Sequence, residues 1–230
     1  MRVEKTNKLK MVLLALMLAG AAGAPFLLFA QGQGQVITPL SSYSDPGWRA
    51  RAGNYQGNFS RMQADLGSRL PAGQFHLLTT AESSAGGIGL WPNPVSFDSP
   101  ARYFAVFMRV QVPPPSTGRA FPDTQTGRVL MIMDAFGKAT ISVLSKELQA
   151  VNDPRVAGGA IIFIYGKKPV NDPSFEQSAE ALALFIKKDN VMAFAQLRMT
   201  LQTLFSQSEM LPILEGQEQI QNLRLYIIQP

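Results

Sequence analysis

The chain has no cysteine and a single histidine, and both scarcities limit its chemistry. Without cysteine it can form no disulfide, thiolate metal site or thiol nucleophile. Zinc sites depend mostly on histidine and cysteine, so we expect no metal and no cofactor. A Ser–His–Asp arrangement would have to use His76 with an acid such as Asp98 or Asp134. We therefore expect no catalytic residue and interpret His76 as a structural histidine in a strand; catalysis by His76 is the alternative.

Phosphate-binding and nucleic-acid-binding patterns are also missing. The glycines at 86, 87 and 89 do not link a strand to a helix, as a dinucleotide fingerprint requires, and they indicate a plain loop. The first 30 residues hold four of the 21 cations and one of the 16 anions, so the remaining 200 residues carry 17 against 15, a net charge of +2. Nucleic-acid binding needs a concentrated cationic face. We therefore expect no nucleic-acid partner.

The first 30 residues have the pattern of a membrane-targeting segment. An uncharged stretch begins at Met11 and ends at Ala30, and cations precede it. Such a pattern sends the following chain across the inner membrane. Two interpretations stay open: a signal peptide cleaved after Ala30, or an uncleaved anchor long enough to cross the bilayer. The cations are Arg2, Lys5, Lys8 and Lys10.

Export predicts a periplasmic domain, either free or held at the membrane and facing the periplasm. An exported chain without disulfides suits a bacterial cell envelope. Residues 31–57 are rich in Gln, Gly, Ser and Pro, which predicts a flexible tether. Residues 58–230 are long enough for one domain with its own core.

The local patterns of this domain predict an α+β fold. A short helix is expected at 58–70 and a strand at 74–80, followed by a loop through the W-P-N-P sequence. The run at 102–112 is β-branched and aromatic, and 160–165 is continuously apolar, so both predict strands. Two runs at 128–133 and 138–144 flank Gly137, which predicts a hairpin. A short helix is expected at 145–151.

The C-terminal part predicts two helices and a closing strand. Asp172 and Pro173 are typical of a helix start, so a helix is expected at 173–188. A second apolar stripe predicts a helix at 191–207, and 223–228 predicts a strand. The fold class is therefore α+β: a mainly antiparallel sheet with a C-terminal helical hairpin packed on it, preceded by the hydrophobic signal or anchor segment.

Few residues suggest a binding or catalytic site. Trp48 and Trp91 could be exposed aromatic anchors for a partner, although burial at the core edge also explains large aromatics. Glu176 and Glu180 would share a helix face, which fits either a carboxylate pair or a solvated surface. The same holds for Glu215 and Glu218, which precede the last predicted strand.

The sequence favours an exported, non-enzymatic cell-envelope protein that acts as a protein-binding or scaffold domain. If it is uncleaved, the hydrophobic segment from Met11 to Ala30 would contact the membrane. One alternative is a periplasmic hydrolase that uses His76 or a carboxylate pair. Another is a carrier of lipid or other apolar ligands, with a cavity between sheet and helices. Neither the partner nor the oligomeric state can be named from the sequence.

Overall fold

A computed structural model describes residues 34–83, 86–92, 101–111, 121–168 and 179–214. The fold is α+β, with a mixed, mostly antiparallel sheet and several helices, which confirms the predicted class. The helices are α1 (Pro46–Asn54), α2 (Gln56–Arg69), α3 (Gln125–Ile132), α4 (Lys138–Gln149), α5 (Lys188–Ala195) and α6 (Leu201–Ser206). The strands are β1 (Phe75–Leu77), β2 (Ile88–Pro92), β3 (Arg102–Val110), β4 (Val156–Gly166), β5 (Ala179–Lys187) and β6 (Glu209–Leu214).

The sheet is built around the parallel pair β3 and β4. Strands β1 and β2 pair with different parts of β3, and both are antiparallel to it. On the other side of the sheet, β4 pairs with β5 and β5 pairs with β6. The chain crosses from β3 to β4 through α3, a π-helical turn (Met133–Gly137) and α4. Parallel neighbours need such a long connection, and a helix is the usual one.

Both faces of the sheet are buried. Alternate side chains of β3, such as Phe104, Val106 and Met108, pack with the helices in the larger core cluster. Ala105 and Phe107 point the other way, into a second cluster of strand side chains. The predicted strands at 102–112 and 160–165 are confirmed, and their nearly unbroken apolar sequences follow from burial on both faces.

The predicted hairpin at 128–133 and 138–144 is wrong. These residues are helical, and their buried side chains recur every three or four residues, as in Val129, Ile132, Phe136 and Thr140. Gly137 has an ordinary helical φ of −63°, so no turn forms there. The predicted short helix at 145–151 is the last part of α4.

The first of the two predicted C-terminal helices is also wrong. Residues Ala179–Lys187 form β5 between β4 and β6, and the proposed start at Asp172 and Pro173 lies outside the described residues. The second predicted helix is broken into α5 and α6 by a turn. A strand and two short helices therefore replace the predicted helical hairpin. The predicted strand at 223–228 and the segment 1–30 lie outside the described residues.

The tether predicted for residues 31–57 is wrong from residue 34 onward. A 3-10 turn (Leu40–Ser42) and α1 lie in this part of the chain, and Asp45 caps α1 by accepting a hydrogen bond from the Trp48 amide. Tyr43, Trp48 and Ala52 are buried in the main core. A few large side chains are enough to fix a segment whose average composition is typical of a linker.

Candidate peptide-binding groove

An open groove of about 580 Å³ runs between residues 34–40 and one face of α2. From α2 it is lined by Gln56 and Gln63, which are seven residues apart and share a helix face. Leu40, at the end of the groove, is one of three large apolar side chains that are exposed in the described part of the chain. The groove therefore combines carboxamides with apolar surface.

Residues 36–38 form one wall of the groove by pairing with β2. The Val36 carbonyl accepts hydrogen bonds from the amides of Gly87 and Ile88, at 2.7 and 3.0 Å, and the Thr38 amide donates to the Ile88 carbonyl at 2.8 Å. Ile37 and Ile88 thus form a parallel bridge. In this register the N–H and C=O of Ile37 point away from β2, toward the groove. This edge can therefore accept a further strand.

The glycines at 86, 87 and 89 are explained by the close approach of neighbouring segments to this part of the chain. A Cβ on Gly89 would overlap the Thr38 side chain, and one on Gly87 would lie 2.5 Å from the Leu78 carbonyl oxygen. Gly86 has φ +66°, in the left-handed region that favours glycine. The sequence indicated a plain loop here, but Ile88–Pro92 is a strand. Gly86 and Gly89 make room for residues 36–38, whereas Gly87 makes room for Leu78.

His76 is paired with a carboxylate that the sequence did not suggest. Its Nε2 lies 2.8 Å from Oε2 of Glu82, which also accepts hydrogen bonds from the amide and hydroxyl of Thr79 at 2.9 and 3.0 Å. The guanidinium of Arg109, the cross-strand neighbour of His76, lies 3.9 Å from the other Glu82 oxygen. Thr79-x-x-Glu82 matches the capping-box pattern, which is the signal that could have revealed this turn.

The two acids considered for His76 do not join it in the described structure. Asp134 lies on the π-helical turn and pairs with Lys138, whereas Asp98 lies outside the described residues. Glu82 links His76 to the turn at residues 79–82, and the Thr80 amide of that turn donates to the Gln35 carbonyl at 2.9 Å. The His76–Glu82 pair thus supports one attachment point of the segment that lines the groove.

The pKa of Glu82 predicts how this support depends on pH. Burial alone would raise it, but the hydrogen bonds from His76 and Thr79 outweigh burial and leave the pKa below its usual value. Because the pKa of Glu82 is lower in the folded protein than in the unfolded protein, its ionised carboxylate stabilises the fold at pH values above the unfolded-state pKa of about 4.3. This stabilisation is lost as the pH falls through the folded-state pKa. We expect Glu82→Gln to destabilise the protein at about pH 7 and to have a smaller effect at about pH 3.

The measurement for Glu82 is the free energy of unfolding by urea across this pH range. Asp134→Asn is the control, because it removes an exposed carboxylate elsewhere on the surface. A Glu82→Gln penalty that stays the same at every pH would contradict the proposed role of its charge.

The structure buries both tryptophans that were considered as exposed anchors. Trp48 is 7% exposed, and the guanidinium groups of Arg51 and Arg102 lie over its ring, at 5.4 and 5.3 Å from the ring centre. Trp91 is 6% exposed and meets Phe107 edge to face. Neither indole is an exposed anchor, and the core interpretation explains both.

The carboxylate Glu180 lies in the sheet and not on a helix face. As part of β5 it is buried, and it accepts hydrogen bonds from Nε and Nη2 of Arg128 at 3.0 and 2.6 Å. The remaining Arg128 nitrogen donates to the carbonyls of Pro122 and Asp123. This pair ties the start of α3 to the sheet. Glu176, expected to share a helix face with Glu180, lies outside the described residues, as do Glu215 and Glu218.

The described ranges contain neither a metal-binding cluster nor a membrane-spanning helix. In them, no group of three or more His, Cys, Asp or Glu side chains is placed to hold a metal ion. No helix within the same ranges combines the length and the apolar character needed to cross a bilayer. Comparison with known proteins found no matching family model, no matching curated protein and no matching solved structure.

Proposed function

We propose that this protein is an exported cell-envelope domain, released or membrane-anchored, that acts by binding an extended segment of a partner protein. The observation that carries the proposal is the backbone of Ile37, whose N–H and C=O point into an open groove beside the sheet. A partner segment would pair with this edge as an added strand, a common mode of peptide recognition.

The groove offers the side chains that such binding requires. Gln56 and Gln63 line the same groove as Ile37, and their carboxamides can donate to or accept from a peptide main chain. Val36, Ile37 and Leu40 supply apolar contact along the other wall. Backbone pairing would give affinity, and side-chain contacts would set which sequence is preferred.

The structural use of Glu147 and Asp153 supports binding over catalysis. Glu147 is 3% exposed and accepts from Arg61 and Asn58, which joins α4 to α2. Asp153 accepts from Arg51 and from the backbone amide of Arg155. For Asp153 the hydrogen bonds favour the ionised state, because the backbone bond from Arg155 and the bond from Arg51 hold the pKa of this carboxyl below its usual value. A general acid needs the opposite shift.

Site-specific photo-crosslinking in the source cells tests the groove. With p-benzoylphenylalanine at position 63, we expect one discrete crosslinked protein after irradiation. The same probe at Ala64 is the matched control, because this residue is also exposed but points about 100° away around the helix. Ile37→Pro removes the outward-facing N–H together with the isoleucine side chain that packs on the core, and it should abolish the adduct at 63 in a chain that still folds. Ile37→Val keeps the N–H and should preserve the adduct.

Two results would contradict the proposal. The first is an absence of adduct at position 63, and the second is an adduct that survives Ile37→Pro in a folded chain. Placement is tested separately by adding protease to intact cells and to spheroplasts. Protection of the domain in spheroplasts would show that it faces the cytoplasm and would refute export.

A further inference from the structure

The turn between α5 and α6 holds Leu197 in an unusual backbone conformation. Leu197 has φ +58°, the only non-glycine residue with a positive φ in the described part of the chain. Its side chain is 93% exposed, more than twice the exposure of Leu40 or Leu130. A bulky residue in the left-handed region is an outlier, and such outliers point to function.

The hydrogen bonds of this turn identify it as a Schellman motif. The Arg198 amide donates to the Ala193 carbonyl at 2.8 Å, and the Leu197 amide donates to the Phe194 carbonyl at 3.0 Å. Leu197 therefore occupies the position after the helix C-cap, where glycine is the usual residue and asparagine the next. Glycine would satisfy the same hydrogen bonds without strain. Folding alone thus gives no reason for leucine here.

Apart from Arg198, the sequence neighbours of Leu197 are apolar or uncharged. Phe194, Met199 and Leu201 flank it and pack partly against the core, while Leu197 itself points away from it. From residue 190 to residue 208 the sequence contains a single charge, Arg198. The corner therefore presents one protruding leucine beside one cation.

We propose that this corner rests on the bilayer surface, with Leu197 inserted among the lipid chains and Arg198 bound to lipid phosphate. Leucine is under-represented among the residues that dominate protein–protein affinity, whereas a lipid surface accepts an apolar side chain without a matching pocket. Arginine binds phosphate through paired N–H groups and can keep its charge at the interface.

A single leucine gives only weak membrane affinity, so a second attachment is needed for stable binding. This inference therefore relies on the placement at the membrane proposed above, but not on the groove. An anchored chain would hold the corner at a high local concentration near the lipid, which makes a weak contact effective.

The absence of cysteine allows a single nitroxide label to be placed at Leu197→Cys in the full chain, reconstituted in vesicles of phosphatidylethanolamine and phosphatidylglycerol. Frequent collisions of the label with oxygen indicate that it lies in lipid, and frequent collisions with a water-soluble nickel chelate indicate that it lies in water. We expect the ratio of oxygen to nickel collisions to be several-fold higher at 197 than for the control label at Leu130→Cys. Equal ratios would overturn the proposal.

A second variant separates insertion from folding. Leu197→Gly should leave the thermal unfolding midpoint unchanged or raised, because it removes strain and no packing. Leu197→Gly should also lower the ratio of oxygen to nickel collisions for a label at the exposed Gln202, and an unchanged ratio would count against the proposal.

The label at 197 could instead become inaccessible to the nickel chelate only after envelope proteins are added. That result would indicate binding in a protein pocket and would refute lipid insertion. Crosslinking at Gln63 should be unaffected by Leu197→Gly, so the groove and the corner can fail separately.

Discussion

Glu180→Ala should lower the free energy of unfolding by about 3–5 kcal/mol, because it leaves the buried guanidinium of Arg128 without its carboxylate. Both side chains of this pair are almost fully buried, at 8% and 2% exposure. The start of α3 is also held by Arg128, through the carbonyls of Pro122 and Asp123. The loss should therefore appear as a lower midpoint of urea unfolding, followed by circular dichroism.

Two variants make this expectation specific. Asp134→Ala removes an exposed ion pair with Lys138 and should change the free energy of unfolding by less than about 1 kcal/mol. The double variant Arg128→Met with Glu180→Met replaces both charges by apolar groups and should recover most of the loss. A small effect of Glu180→Ala, similar to that of Asp134→Ala, would show that the pair is not isolated from solvent.

Two glycine-to-alanine substitutions should change the free energy of unfolding in opposite directions. A Cβ on Gly158 would overlap the carbonyl oxygen of Ile186 and lie 2.8 Å from the amide nitrogen of Lys188, both in the backbone. Because backbone cannot move aside as a flexible side chain can, we expect Gly158→Ala to destabilise by about 3 kcal/mol, the upper part of the usual range. Gly67 lies in α2, and a methyl group added there would have no neighbouring atom within 4 Å.

Gly67→Ala should therefore stabilise the protein by about 0.5–1 kcal/mol, the usual helix preference for alanine over glycine. Thermal and urea unfolding of both variants would measure this difference in sign. A neutral Gly158→Ala would mean that β4 and β5 separate more easily than their close approach indicates.

The strands that sequence predicted well are those whose side chains are buried on both sides. The runs at 102–112 and 160–165 are rich in β-branched and aromatic residues, and no helical spacing competes with that signal. The helix predicted at 58–70 is also confirmed, because Phe59, Met62 and Leu66 recur at helical spacing and are all buried. In these segments, local preference and tertiary packing agree.

The wrong predictions are segments where the local and tertiary signals differ. Ala179–Lys187 has an alanine-rich sequence that favours a helix, but its place between two strands overrides that preference. Around Gly137 a turn-like sequence interrupts two apolar runs, and the glycine serves instead to make room for the Met133 side chain.

The candidate groove could not be predicted from composition. Its main wall, residues 36–38, follows a polar, glycine-rich stretch and is held by backbone hydrogen bonds to residues about 50 positions later in the chain. Such pairing leaves almost no trace in side-chain periodicity. The special position of Leu197 could not be predicted either, because this residue lies within the apolar stripe that predicts a helix at 191–207.

The order of the sheet also sets the distance between residues 36–38 and β6. Residues 36–38 lie beside β2 at one edge, and β6 forms the other edge. Five strand spacings of about 4.8 Å separate them, roughly 24 Å. A force applied between residues 36–38 and β6 would therefore load the β2–β3, β3–β4, β4–β5 and β5–β6 pairs in series.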